Sequence, residues 1–189
     1  AKNVILATGA RSRNLPFVSS DGVNIWDYKT AMTPPKLPSS LIIVGSGAIG
    51  MEFASFYNDL GVDVTIVEAL PSILPNEDTD ISEIVKLSFE KRGIKIKTSS
   101  ALKSVTTKEN SVSAEIITNE KVETINSEKL ILAIGIIANT EKLGLKDFNV
   151  KIDKGHIVTN EFLETDEKGV YAIGDITDGP WLAHKASHE

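Results

Sequence analysis

The sequence predicts an α/β protein with a parallel sheet, helices that connect its strands and a small antiparallel β-meander. Residues 41–44 are all apolar and precede a glycine-rich turn and a helical repeat, which is typical of a buried parallel strand leading into a helix. Residues 62–67 (VDVTIV) have strand character and complete a strand–helix–strand unit. Residues 102–124 have strand-like character with turns at Asn110 and Asn119, which predicts the meander.

The composition is that of an ordinary globular chain and argues against several classes of partner. Of 189 residues, 41% are hydrophobic and 24% charged, which suits one large domain or one domain with part of another. The net charge of −6, without a dense Lys/Arg cluster, argues against a nucleic-acid partner. No apolar run approaches the roughly 20 residues that span a bilayer, so no membrane segment is expected.

The first forty residues contain one strand and one candidate boundary. Val4–Ala7 is a short apolar run closed by Thr8–Ala10, which predicts a buried strand and a turn. Residues 11–40 are predicted to be irregular, and the proline-rich segment 34–38 is the best candidate domain boundary. Because the chain starts inside an apparent strand without Met, we expect a piece of a longer protein. The absence of cysteine, which normally argues against zinc–thiolate or thiol chemistry, then says little about the parent.

Two helices are predicted in the central part of the chain. The first begins at Ala48 and ends near Leu60, where Gly61 provides a C-cap signal. The second runs from about Asp80 to Arg92, and Asp80 with Glu83 resembles a capping box. One face of this second helix is apolar: Ile81, Ile84, Val85 and Phe89.

Four further segments have strand character. Residues 94–97 alternate, and residues 130–134 are apolar throughout and end at a glycine. Residues 150–158 alternate around a central turn, and residues 170–173 form another apolar run. The segments at 130–134 and 170–173 are therefore predicted to be buried strands.

The glycine turn has the spacing of a dinucleotide-binding fingerprint. Gly45, Gly47 and Gly50 lie between a predicted strand and a predicted helix, which is the context the fingerprint requires. Gly45 permits the tight turn, Gly47 lets the backbone approach a pyrophosphate, and Gly50 lets helix and strand pack closely. The helix N-terminus offers free N–H groups to the phosphates. The alternative is a glycine turn that only packs.

Two carboxylates near this turn are candidate ligand contacts. Glu68 ends the second strand, where a carboxylate accepts hydrogen bonds from the adenosine ribose and repels a 2′-phosphate. No Arg follows it in residues 69–71, so NAD(H) is favoured over NADP(H). Glu52 lies in the first helical turn, where an acid suits the helix dipole, and the alternative is that it faces the nicotinamide half of the cofactor.

Five segments in this order resemble the flavoprotein disulfide reductases, which bind two dinucleotides. They are ATGA (7–10), GSGAIGME (45–52), AIG (133–135), VYAIGD (170–175) and GPWLAHKA (179–186). The resemblance spans essentially all 189 residues, and the last segment is most similar to the members of the family that oxidise dihydrolipoyl groups.

The resemblance implies a Rossmann-like FAD/NAD(P)-binding fold, in which the parallel sheet carries helices on one face and a three-stranded β-meander on the other. It also implies a particular domain order. In this family the FAD domain is split in sequence by an inserted NAD domain. Residues 1–37 then correspond to a remnant of the FAD domain and a linker, residues 38–147 to the NAD-binding domain, and residues 148–189 to the returning, incomplete part of the FAD domain.

The resemblance also implies the residues that bind each cofactor. The positions matching the NAD site are Gly45, Ser46, Gly47, Ala48, Ile49, Gly50, Met51, Glu52, Glu68, Leu102 and Gly135. Those matching the FAD site of the parent are Thr8, Gly9, Ala10, Asp175, Trp181, Leu182, Ala183 and His184. The sequence departs from the family where Ile136 and Ala138 replace the usual Arg and Pro, and where Trp181 replaces a smaller apolar residue.

The activity implied for the parent is electron transfer from dihydrolipoyl groups, through a redox disulfide and FAD, to NAD+. The implied partners are the lipoyl groups of a 2-oxoacid dehydrogenase or glycine cleavage complex, and the parent is expected to be a homodimer in the cytoplasm or mitochondrial matrix. The present chain has no cysteine, so we expect it to be inactive alone, with no catalytic residue and no metal site.

Three alternatives to this function stay open. One is another NADH-dependent flavoprotein, such as an NADH oxidase or a ferredoxin-type reductase. A second is a non-catalytic NAD-binding module, against which the flavin-type segment 170–175 argues. A third is a methyltransferase with a similar glycine turn, which the predicted meander disfavours.

Overall fold

The computed structural model describes all residues 1–189, and the chain forms two compact units. One unit is the continuous segment Ser12–Gly135, and the other joins Ala1–Arg11 to Ile136–Glu189. No helix in either unit has the length and apolarity that a bilayer crossing requires. The functional assignment of residues 1–37, 38–147 and 148–189 stays a prediction.

The Ser12–Gly135 unit contains most of the regular structure. Its strands are β3 (Ile25–Trp26), β4 (Ser40–Val44), β5 (Asp63–Val67), β6 (Lys95–Lys97), β7 (Ser100–Lys108), β8 (Ser111–Thr118), β9 (Lys121–Ser127) and β10 (Lys129–Leu132). Its helices are α1 (Tyr28–Met32), α2 (Ala48–Asp59) and α3 (Thr79–Lys91). β1 (Val4–Leu6) and most of β2 (Ala10–Ser12) lie in the other unit.

A five-stranded parallel sheet is the centre of this unit. Its strand order is β3-β10-β4-β5-β6, so β4 and its helix α2 emerge from the middle of the sheet. In the register of the central strands, Ile43 of β4 lies between Ile131 of β10 and Ile66 of β5. The carboxyl ends of these three strands therefore lie side by side, at the edge where the glycine turn begins.

The two faces of the sheet bury different partners because side chains alternate along each strand. Leu41 and Ile43 face the helices and pack with residues of α1, α2 and α3, including Met51 and Tyr57. Ile42 faces the meander β7-β8-β9, and its neighbours on that face include Val112, Ala114 and Ile116 of β8. This arrangement confirms the predicted fold class.

Both predicted helices of this unit form, but two details of the second were wrong. The N-cap of α3 is Asp78, which makes no side-chain capping hydrogen bond, so Asp80 and Glu83 do not form a capping box. Ile81 and Ile84 are 48% and 64% exposed, while Val85 and Phe89 pack against the core. The face of α3 that contacts the core is therefore narrower than the apolar face that the sequence predicted.

Residues 11–40 are more regular than predicted. The two-residue strand β3 adds an edge to the sheet by pairing with Leu130 and Ile131 of β10. Asp27 caps α1 by accepting hydrogen bonds from the N–H groups of Lys29 and Thr30. A strand of two residues has no detectable period, so only its pairing with a distant strand reveals it.

The second unit contains short elements around a small core. After β1 and β2 it comprises β11 (Ile136–Ala138), β12 (Ile152–Asp153), β13 (His156–Ile157), β14 (Val170–Ala172) and α4 (Ala183–His188). β1 pairs in parallel with β14, and β12 pairs antiparallel with β13 within the segment 150–158 that was predicted to alternate around a turn. Val4 and Ile5 were predicted to be buried but are 44% and 62% exposed. These neighbours point to opposite faces of β1, so the two-stranded sheet leaves both faces uncovered at these residues.

Candidate functional site

The turn between β4 and α2 depends on two of its three glycines for its shape. Gly45 has a φ of +99°, and a Cβ placed there would overlap the carbonyl oxygen of Ala133. A Cβ on Gly50 would overlap the carbonyl oxygen of Gly45. The Gly45 N–H donates to the carbonyl oxygen of Val67 at 2.9 Å, which ties the turn to β5. Gly45 and Gly50 are therefore required by the fold itself.

Gly47 differs from the other two glycines because nothing in the chain crowds it. Its backbone is extended, with φ −68° and ψ −179°, a conformation open to any residue. A Cβ added there would meet no heavy atom within 4 Å. Gly47 is the N-cap of α2, and no side chain caps this helix. The first N–H groups of α2 and the space before them are therefore available to an anion.

Glu68 is buried at the end of β5 and is hydrogen bonded to the glycine turn. Its Oε2 accepts from the Ser46 N–H at 2.8 Å and from the Ser46 hydroxyl at 2.6 Å. Its Oε1 accepts from the Leu70 N–H at 2.8 Å. The carboxylate predicted to bind ribose thus also holds Ser46, which the resemblance had placed among the cofactor contacts.

The remaining residues of the turn divide into exposed and buried groups. Ala48 and Ile49 are exposed at the start of α2, whereas the Met51 side chain is in the helix-side core. Only the backbone of Met51 is therefore left to contact a ligand. Glu52 is exposed too, but the prediction that it lies in the first turn was wrong, because the first turn of α2 contains no acidic residue. Ile49 and Glu52 also line an apolar groove of about 470 Å³, whose lining residues are Tyr28, Met32, Ile49, Glu52, Phe53 and Phe56.

Leu102 and Gly135, predicted to border the adenine side, lie on different parts of this unit. Leu102 is half-buried on β7 and packs against the meander-side core. Gly135 is exposed beyond the end of β10 with a φ of +103°. Because β10 neighbours β4, Gly135 lies at the same edge of the sheet as the glycine turn.

In the second unit, three residues predicted to bind FAD surround one cavity. Gly9, Asp175 and Ala183 line a space of about 330 Å³, together with small or apolar neighbours: Ala7, Ile173, Gly174 and Ala186. Asp175 lies in a short 3-10 helix, Gly174–Ile176, directly after β14. Small side chains and one carboxylate around a cavity suit an extended ligand with hydroxyl groups.

Asn139 is a residue of this site that the sequence reasoning missed. Its Nδ2 donates to the Thr8 carbonyl oxygen at 2.9 Å, and its own carbonyl oxygen accepts from the Thr8 hydroxyl at 2.8 Å. Its N–H donates to the Gly9 carbonyl oxygen at 2.9 Å. Asn139 thereby holds the turn at residues 8–9, and a lone Asn after a strand carried no signal of this role.

The segment 179–186 is mostly exposed. Leu182 and His184 are exposed, and Trp181, 45% exposed, stacks on His156 with ring centroids 5.1 Å apart. The Trp181 indole N–H donates to the Thr177 carbonyl oxygen at 3.1 Å. Of the predicted residues in this segment, only Ala183 lines the cavity with Gly9 and Asp175.

Glu189 connects the end of α4 to the turn after β14. It accepts from the Gly174 N–H at 2.7 Å and pairs with Lys185 at 2.8 Å. Burial opposes ionisation of this carboxyl, but the hydrogen bonds from Lys185 and Gly174 outweigh it and lower the pKa of Glu189. This bond network fixes α4 beside Asp175.

The chain belongs to the pyridine nucleotide-disulphide oxidoreductase family, whose model matches residues 1–189. Within that family its relatives include proteins named dihydrolipoyl dehydrogenase. Those from Zymomonas mobilis, Rhizobium etli and Bacillus subtilis are 50%, 48% and 39% identical over the whole chain. These relatives confirm the family inferred from the five segments.

The chain spans about two fifths of the length of these relatives, with 41% of the Zymomonas mobilis protein covered. Solved structures agree in fold. LpdA from Mycobacterium tuberculosis has a TM-score of 0.88 and 33% identity, covering 98% of this chain and 40% of that one. The HOCl-induced flavoprotein disulfide reductase RclA from Escherichia coli has a TM-score of 0.86 and 26% identity, covering 98% and 42%.

Proposed function

We propose that the Ser12–Gly135 unit binds NAD(H) as part of a flavin-dependent dihydrolipoyl dehydrogenase. In the whole enzyme, electrons pass from dihydrolipoyl groups through a redox disulfide and FAD to NAD+. The present 189 residues, which have no cysteine, are expected to bind nucleotide without catalysing the reaction. The names and identities of the relatives support this assignment.

The observation that carries the proposal is the contrast among the three glycines. Gly45 and Gly50 are needed for packing, but Gly47 has open space where a side chain would lie. A pyrophosphate seated on the uncapped N-terminus of α2 accounts for a glycine there, because a Cβ would hold the phosphates away from the backbone N–H groups.

Glu68 supports NAD(H) rather than NADP(H). Its carboxylate lies at the carboxyl end of β5 and accepts hydrogen bonds, as it would from a ribose hydroxyl. A 2′-phosphate would instead meet a negative charge in a partly buried position, where repulsion is weakly screened. The neighbouring residues 69–71 contain no Arg that could offset it.

The residues around the cavity of the second unit fit part of a flavin nucleotide. Asp175 would accept a hydrogen bond from a ribitol hydroxyl, and Gly9 and Ala183 would allow close approach of the ligand. A bound flavin supplies the two-electron chemistry between dithiol and nicotinamide. The contribution of this chain is to bind and orient the two nucleotides. The lipoyl-bearing complex and the dimeric state are proposed for the whole protein.

Gly47→Ala tests nucleotide binding directly. We expect the NADH dissociation constant, measured by titration calorimetry, to rise at least about tenfold, which corresponds to about 1.4 kcal/mol. The melting temperature should stay within a few degrees, since the site has room for a methyl group. Asn58→Ala, at the other end of α2, is the matched control and should bind NADH normally. Unchanged NADH affinity in Gly47→Ala contradicts the proposal.

Glu68→Ala tests the choice of nucleotide. The wild type should bind NADH more tightly than NADPH, and the variant should lose most of that preference. Equal binding of both nucleotides by the wild type would show that Glu68 does not discriminate between them.

A second candidate is a flavoprotein disulfide reductase with a different final substrate. The similarity in fold to RclA favours it, although that identity is 26% against 50% for the dihydrolipoyl dehydrogenase of Zymomonas mobilis. NADH formation from NAD+ and dihydrolipoamide by the whole protein supports the first candidate. Its absence in a protein that still oxidises NADH supports the second.

A further inference from the structure

The Ser46 hydroxyl is buried against the Glu68 carboxylate. Ser46 has no exposed surface and Glu68 is 7% exposed. Both the N–H and the Oγ of Ser46 lie within 2.8 Å of the same oxygen, Oε2. Because two donors of one rigidly held residue bind this single oxygen, Ser46 fixes the direction of the carboxylate.

The other carboxylate oxygen keeps one open acceptor position. An ionised carboxylate offers about four acceptor sites, and Ser46 fills two of them while the Leu70 N–H fills a third. The remaining site is on Oε1. A carboxylate held by three donors with one site left is arranged to accept one further hydrogen bond from a ligand.

The backbone of Ser46 has a separate structural duty. Its carbonyl oxygen accepts from the Leu74 N–H at 2.9 Å, which folds the segment after Glu68 back onto the glycine turn. The Leu74 carbonyl oxygen accepts in turn from the Ser82 hydroxyl at 3.3 Å. Substituting the Ser46 side chain alone leaves these bonds in place, so the effect of its hydroxyl can be measured by itself.

We propose that Ser46 is a positioning residue for nucleotide specificity. Its hydroxyl holds the Glu68 carboxylate where it accepts one ribose hydroxyl and repels a 2′-phosphate. This inference rests on the proposed binding of NAD(H) by this unit. Without the hydroxyl the carboxylate can turn away, which weakens the ribose contact and lets a 2′-phosphate approach.

The test is Ser46→Ala in the 189-residue chain, with NADH and NADPH titrated separately. We expect the NADH dissociation constant to rise about three- to tenfold, in the range of the net contribution of one hydrogen bond. The ratio of the NADPH to the NADH dissociation constant should fall by a similar factor. Ser82→Ala is the control, because it removes another buried serine hydroxyl from the same region without touching Glu68. Its ratio of NADPH to NADH dissociation constants should equal that of the wild type.

A double-mutant cycle separates positioning from packing. In a Glu68→Ala background, Ser46→Ala should leave the ratio of the NADPH to the NADH dissociation constant unchanged, because Ser46 acts only through that carboxylate. A Ser46→Ala protein whose two affinities fall by the same factor, or do not fall, overturns the inference. Ser46→Gly, which removes the same hydroxyl, replaces Ser46→Ala if the latter melts below the assay temperature.

The outcomes also distinguish this inference from the proposed function. If the wild type binds neither nucleotide, the proposed function and the inference about Ser46 are both overturned. If the wild type prefers NADH and Glu68→Ala loses that preference while Ser46→Ala keeps it, the proposed function stands and only the role of Ser46 is overturned.

Discussion

Gly50 lies directly against the backbone of Gly45, with no room for a side chain between them. A Cβ on Gly50 would overlap the Gly45 carbonyl oxygen and lie 3.4 Å from the Ala133 side chain. The turn after β4 and the first turn of α2 therefore meet through main-chain atoms. This close approach fixes the direction of α2, whose N-terminus is the proposed phosphate site.

Gly50→Ala should destabilise the chain without removing any ligand contact. The added methyl group forces the helix away from the turn, and overpacking of this kind costs about 1–3 kcal/mol or more. Urea unfolding followed by circular dichroism measures the effect, and Gly47→Ala is the matched variant that should unfold like the wild type. Equal stability of the two variants would contradict the different roles assigned to these glycines.

Tyr57→Phe should destabilise the Ser12–Gly135 unit by about 1–3 kcal/mol, because it removes the donor to a buried carbonyl. The fully buried Tyr57 hydroxyl donates to the Ala31 carbonyl oxygen at 2.6 Å and joins α2 to α1. Tyr28→Phe, on the partly exposed face of α1, is the control and should change stability by less than about 0.5 kcal/mol.

Tyr57 also predicts a change in alkaline stability. Burial raises the pKa of Tyr57 from 10.0 to about 12. The unfolded chain therefore loses the phenol proton first, and stability should fall as the pH rises from about 10 to 12. Denaturant unfolding at several alkaline pH values should show a smaller decline for Tyr57→Phe than for the wild type. Parallel declines would exclude a contribution from this phenol.

Asp21→Asn should reduce stability at neutral pH but not in strong acid. Burial alone would raise the pKa of Asp21, but N–H donors from Val23, Asn24 and Ile25 at 2.8 Å outweigh it, so the folded-state pKa lies below 3.8. The stabilisation is complete above the unfolded pKa and is lost as the pH falls through the folded pKa.

The measurement for Asp21 is thermal unfolding between pH 2 and pH 7. The difference between wild type and Asp21→Asn should shrink as the pH falls below about 4, where the carboxyl becomes protonated first in the unfolded and then in the folded state. Asp80→Asn, an exposed carboxylate of α3, controls for the change in net charge. If the stability difference between the two proteins is constant across this pH range, the charge of Asp21 does not stabilise the turn at residues 21–25.

Arg92→Ala should destabilise the packing of α3 on α2 by about 1–2 kcal/mol. The guanidinium donates to the Ser55 hydroxyl and carbonyl oxygens at 3.0 and 3.2 Å and lies 5.1 Å from the Phe89 ring centroid. Lys86→Ala, which removes an exposed pair to Glu90 at 4.0 Å, should cost less than about 0.5 kcal/mol. Similar losses in both variants, measured by urea unfolding, would contradict this ranking.

The sequence predicts best those elements whose burial follows from their own pattern. Residues 41–44 of β4 are apolar on both faces because β4 is central in the sheet, and α2 follows an unambiguous glycine turn. The spacing of Gly45, Gly47 and Gly50 also predicts a nucleotide turn. That Gly47 alone is free of packing constraints becomes visible only with the atoms around it.

The features that sequence reasoning missed depend on contacts between distant residues. β3 exists because β10 lies beside it, and the exposure of Ile84 depends on how α3 lies on the sheet. The bond between Ser46 and Glu68 joins residues on two strand ends, and neither residue alone indicates it. Asn139 holds residues 8–9 although it lies 131 positions after Thr8 in the sequence.

The pairing of β1 with β14 has a consequence for synthesis on the ribosome. Val4 lies opposite Val170, so the first strand emerges long before its partner is translated. At a synthesis rate of about 5–20 residues per second, β14 follows β1 after on the order of ten seconds or more. Every strand of the five-stranded sheet in the Ser12–Gly135 unit is translated within that time. The Ser12–Gly135 unit therefore has its whole sheet available for folding before β1 can pair with β14.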